Sequence, residues 1–121
     1  MAVYSDKSNM LCILSILEEY SDENHILALK EIIEKMQTLY DRKVDRRTVY
    51  GSIQALEDFG YSISKYNENG KGYYLLDRKF SQAEIRLLID AIYSCPYISL
   101  QQTKELLQKL RGFSSVYDRD N

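Results

Sequence analysis

A turn-rich stretch, NENGKG (Asn67 to Gly72), separates two short β-prone runs, YSISKY (Tyr61 to Tyr66) and YYLL (Tyr73 to Leu76). The first run alternates, the middle carries turn chemistry, and the second is rich in tyrosine and leucine, so the segment reads as a β-hairpin. An isolated two-stranded hairpin is marginally stable in water. This one must lean on something else, and everything upstream of it has helical periodicity. That pairing limits the chain to an α+β, mostly α architecture.

Three helices are expected before the hairpin. The first runs from Ser8 to about Tyr20, with Met10, Leu14 and Leu17 on one face and Leu11 and Ile13 flanking it. The polar run SDENH (Ser21 to His25) breaks that pattern. The second helix, Leu29 to Tyr40, sets Leu29, Ile32, Ile33, Met36 and Leu39 at helical spacing. A short connection, Asp41 to Val44, leads to Asp45, a good N-cap because its carboxylate accepts free backbone N–H groups. The third helix is Arg46 to Phe59, and Gly60 ends it in a backbone conformation that glycine tolerates best. Two helices joined by so short a turn form a helix-turn-helix candidate. With the hairpin behind them, the reading is a three-helix winged helix-turn-helix with a two-stranded β-wing.

The rest is expected to be a C-terminal helical hairpin. Ser81 and Glu84 have the spacing of a capping box, with Phe80 and Ile85 at the staple positions. That helix runs to about Ser94, burying Ile85, Leu88, Ile89 and Ile92, and Pro96 stops it. Ser99 and Gln102 open a last helix bearing Leu106, Leu107 and Leu110 and stopping at Gly112, and the tail SSVYDRDN is expected to fray. The domain reading is 1–78 for the winged domain and 79–121 for a linking and dimerisation segment.

Charge and composition narrow the function. The net charge is -2, yet residues 1–40 carry -4, residues 41–79 carry +2, and the remainder balances. Positive charge is thus concentrated where the recognition elements fall, and a local patch can meet phosphates on a mildly acidic chain. Hydrophobic residues at 45% supply a core without metal or disulfide. Cys12 and Cys95, far apart in apolar surroundings, read as buried reduced thiols. The single His25 and the lack of ligand spacings leave no metal site, and no cofactor is implied. With no nucleophile–base constellation or phosphate loop, no catalytic residues are assigned and the chain is not expected to be an enzyme. There is no signal peptide or spanning apolar run, so the expected location is cytoplasmic, without membrane contact.

At 100° per residue, Val49, Ile53 and Leu56 share one side of the third helix, while Arg47, Gly51, Gln54 and Asp58 share the other, flanked by Thr48 and Tyr50. Arg46 and Arg47 lie in the first turn, the end that enters the major groove in such folds. Arginine pairs in bidentate fashion with guanine and glutamine with adenine, which makes Arg47 and Gln54 the base-reading candidates. Arg46, Thr48 and Tyr50 suit phosphates or a thymine methyl. Lys43 in the turn and Lys65 and Lys71 on the wing would add positioning contacts to the backbone. Gly51 stays open between two readings: it lets the helix approach DNA closely, or it is neutral drift. The expected partner is duplex DNA, bound by a homodimer that pairs through the C-terminal helices.

The runs LKEIIEKM, DRRTVYGSIQALEDFGYSIS and NGKGYYLLDRKFSQAEIRLLIDAI resemble the N-terminal region of bacterial WYL-domain transcription regulators, from about Met10 to Leu110. The resemblance implies a winged helix-turn-helix that binds operator DNA, linking helices, and usually a homodimer. It also implies that Arg46, Arg47, Thr48 and Tyr50 belong to the recognition helix. Many relatives carry Arg-Asp where this chain has Gly51 and Ser52, and the sequence stops where the WYL domain would begin, as a fragment or a natural short form. The alternative function is a protein-interaction module, with the acidic Glu18, Glu19, Asp22 and Glu23 facing a protein partner.

Overall fold

A computed structural model describes residues 8–117. Its helices are α1 (Asn9–Tyr20), α2 (Leu29–Tyr40), α3 (Arg46–Phe59), a single turn α4 (Tyr66–Asn69), α5 (Gln82–Ser94) and α6 (Leu100–Arg111). Two strands, β1 (Ile63–Ser64) and β2 (Tyr74–Leu75), pair antiparallel with Ile63 opposite Leu75 and Ser64 opposite Tyr74. The chain is therefore α+β and mostly helical. It forms two compact units divided between Asp77 and Arg78.

In the first unit α1 is the hub, touching α2, α3 and β2. Ile13, Ile16 and Leu17 of α1 meet Ile32 and Met36 of α2, Val49, Ile53 and Leu56 of α3, and Ile63 and Leu75 of the strands, all buried. The face of α1 differs from expectation. Cys12, Ile13, Ile16 and Leu17 are buried, Met10 and Leu14 are half-buried, and Leu11 is exposed. The helix is apolar nearly all round, so periodicity alone did not choose which side would face three neighbours. Leu39, expected in the core, is also exposed at the end of α2.

The hairpin is shorter than its sequence suggested. Tyr66, expected in the first strand, begins α4, and the turn NENGKG becomes that helical turn followed by a tight return. Asn69 is the cause. Its side-chain amide donates to Ser64 Oγ (3.0 Å) and to the Gly72 carbonyl (2.9 Å), while its oxygen accepts from the Lys71 and Gly72 N–H groups. A side chain that satisfies this much local backbone competes with strand pairing and wins.

A third extended segment joins the sheet edge. Leu27 and Tyr73 exchange backbone hydrogen bonds of 2.9 and 2.7 Å. Gly72 makes the approach possible, because a Cβ there would lie 2.1 Å from the Leu27 carbonyl oxygen. Buried Ser21 fastens the same corner: its hydroxyl donates to the Leu17 carbonyl (2.6 Å) and accepts from the Leu75 N–H (3.1 Å). The end of α1 is thereby tied to β2 by bonds that water cannot replace.

The second unit holds α5 and α6, which pack on each other. Both start with complete capping boxes, Ser81 with Glu84 and Ser99 with Gln102. The Phe80 ring meets Phe113 edge-on at 5.3 Å. Burial is thinner than expected: of the apolar positions on α5 and α6 only Ile85 and Leu107 are buried, while Leu88, Ile89, Ile92 and Leu110 are half-buried. The expected fraying of the tail does not extend to Ser114 and Ser115, which are buried, and residues 118–121 lie outside the described residues. Cys12 is buried, whereas Cys95 is only half-buried at the end of α5, and both thiols are free.

Candidate nucleic-acid interface

The site is set by how α3 begins. Asp45 holds an extended backbone conformation and its Oδ1 accepts the Thr48 N–H at 2.8 Å, a side-chain N-cap. That bond, aided by the Thr48 hydroxyl and the nearby Arg47, holds the Asp45 carboxyl below the usual carboxylate range. Because the folded pKa is depressed, this stabilisation is present above the ordinary carboxylate value and disappears as the pH falls through the folded one. Asp45→Ala is expected to lower the melting temperature at neutral pH more than in strong acid. Asp45→Asn should keep the cap while losing the pH dependence it confers. Thermal unfolding of the three proteins at both pH values checks this.

With that cap fixed, Arg46 and Arg47 project from the first turn and both are exposed. Lys43 before the helix and Lys71 on the hairpin are exposed as well. Among the described residues, none of these four side chains takes part in an ion pair. Gly51 lies one turn further along the same exposed face, with no atom within 4 Å of where a Cβ would stand. Gln54 follows, its amide donating to Asp58 Oδ1 at 2.9 Å, which fixes its orientation. Val49, Ile53 and Leu56 fill the opposite, buried side, joined by Ser52.

The other sequence-derived residues are less free. Thr48 is half-buried beside its cap. Tyr50 is half-exposed and stands beside Tyr73, whose hydroxyl is pushed up first by its burial and then by Tyr50. Lys65 places its ammonium 3.0 Å from Glu57 Oε1, joining the hairpin to α3. A phosphate reaching Lys65 would compete with that carboxylate. Sequence reasoning missed Glu57 and Tyr73, since neither spacing nor periodicity links position 57 to 65 or 50 to 73.

It also missed Arg42. This residue is buried, and its guanidinium donates to Asn9 Oδ1 and to Ser8 Oγ (2.6 Å), locking the connection before α3 onto the start of α1. One of the cations in the basic middle third is thus structural.

These features define an α+β, mostly helical protein with a two-stranded antiparallel sheet, an arrangement compatible with a winged helix. No protein family, curated protein or solved structure matches the chain. Among the described residues, no helix is long and apolar enough to cross a membrane, and no group of three or more His, Cys, Asp or Glu side chains could hold a metal ion.

Proposed function

We propose that the chain is a winged helix-turn-helix DNA-binding unit of a transcription regulator, akin to those of WYL-domain proteins. In this reading α3 lies in the major groove and the β1–β2 hairpin is the wing. The observation that carries it is the first turn of α3: two adjacent arginines, exposed and, among the described residues, outside any ion pair, on a capped helix whose other side is anchored by Val49, Ile53 and Leu56. Arginine so presented offers a bidentate fork to guanine or phosphate. Arg47 and Gln54 read bases, and Arg46, Thr48, Tyr50, Lys43 and Lys71 position the helix on the backbone. Lys65 acts through Glu57, holding the wing at α3.

The test is a titration of labelled duplex, from DNA flanking its own gene and of random sequence, at several salt concentrations. Affinity should fall by about 0.9 log unit per log unit of salt for every phosphate contacted. Failure to bind any duplex at low salt would sink the reading and favour a protein partner.

The second unit supports it as a helical hairpin through which two copies pair, presenting two α3 helices to half-sites one DNA turn apart. Leu87 and Leu100 are 71% and 72% exposed, apolar surface that a second copy would cover. Sedimentation equilibrium is expected to show a dimer at micromolar concentration, and a monomer there would remove the pairing from the proposal.

A further inference from the structure

Between α3 and the α4 turn lies an open cleft of about 320 Å³. This is at the small end of ligand sites. Its wall combines Tyr50 and Tyr73 with the apolar Ile53. Tyr66 also lines the cleft and is 60% exposed. Two amides, Gln54 and Asn67, also line the cleft. Gln54 uses its N–H on Asp58, which leaves its carbonyl oxygen available, and among the described residues the Asn67 side chain makes no hydrogen bond.

The charge in this wall is already spent. Lys65 and Glu57, the charged groups lining the cleft, neutralise each other at 3.0 Å. A phosphate or carboxylate would have to displace Glu57, whereas a neutral ligand would not. What remains is a small site with aromatic faces and amide edges, suited to a flat ring that carries donors and acceptors on its rim. We infer that the cleft binds a nucleobase, either of a free nucleoside or of an unpaired base in a single strand. Aromatic faces stack on any base, and amides read its edge. An exocyclic amino group fits the Gln54 oxygen. The inference goes beyond duplex binding and does not depend on it.

The experiment titrates adenosine, guanosine, cytidine and thymidine separately into the full chain, following binding by calorimetry and by tyrosine ring NMR signals. Homopolymeric single-stranded oligonucleotides form a second arm. Saturable binding is expected, preferring bases with an exocyclic amino group. Tyr66→Ala should weaken it roughly tenfold, while Tyr66→Phe keeps it. Because Tyr66 is exposed, neither change removes core packing. Competition between nucleoside and oligonucleotide would identify an unpaired base as a source, and nucleoside binding without it a free nucleoside. The cleft shares Tyr50 and Gln54 with the duplex reading but neither arginine, so the Arg46→Ala/Arg47→Ala protein should bind nucleosides normally while its duplex binding falls. No saturation by any nucleoside or single strand at millimolar concentration, or equal binding by Tyr66→Ala and the unaltered chain, would overturn the inference.

Discussion

Gly72→Ala is expected to lower the melting temperature of the first unit by roughly 15 °C, the shift that a loss of about 3 kcal/mol produces in a domain of this size. The added methyl would fall 2.1 Å from the Leu27 oxygen, 2.6 Å from its carbonyl carbon and 3.0 Å from Ala28 Cα. All three are backbone atoms, so no side chain can swing aside. Relief requires pulling Leu27 away from Tyr73, breaking their two mutual hydrogen bonds in a region where both residues are buried. Each buried backbone group left unpaired costs about 1–3 kcal/mol. Gly51→Ala is the internal control. Its site is open and helical, so alanine should raise stability by about 1 kcal/mol. Thermal denaturation of the two variants beside the parent checks both signs, and equal melting temperatures would show that the Leu27–Tyr73 approach does not support the fold.

The second large effect is on DNA. Arg46→Ala/Arg47→Ala is expected to weaken duplex binding about 100-fold and to lower the salt slope by about 0.9 unit. These figures follow from about 1–3 kcal/mol for a base-reading arginine and about 0.9 slope unit per phosphate contact. Both side chains are exposed and, among the described residues, outside ion pairs, so the melting temperature should hardly change. Loss of binding with retained stability places the contact in the first turn of α3, and unchanged binding moves it elsewhere. Gly51→Ala adds a second reading in the same assay. If binding falls while stability rises, the helix backbone itself lies close against DNA at that point.

Local chemistry was legible in the sequence because its signals act over a few residues. Asp45 caps α3 through a bond to Thr48, and Ser81 and Ser99 open α5 and α6 through partners three positions away. The bounds of α2 and α3 follow from apolar spacing and from Gly60, whose φ of 128° excludes most side chains. The exposed face of α3 follows from the same spacing, since fixing Val49, Ile53 and Leu56 inward turns Arg47, Gly51 and Gln54 outward.

Features that join distant positions were not legible. The sequence marks Gly72 as part of a turn, but the close passage of Leu27, 45 positions earlier, makes a side chain impossible there. Arg42 reads as one more cation in a basic stretch until Asn9 and Ser8 enclose it. Lys65 reads as a free wing lysine until Glu57 takes its charge. Which side of α1 is buried waited on the arrival of α2, α3 and β2 together. The sequence by itself determined the order of the elements, their caps and the outward face of α3, because these depend on neighbours three or four residues apart. Tertiary structure alone decided which cations remain free for a partner and which glycine is indispensable, because both depend on what long-range packing brings alongside.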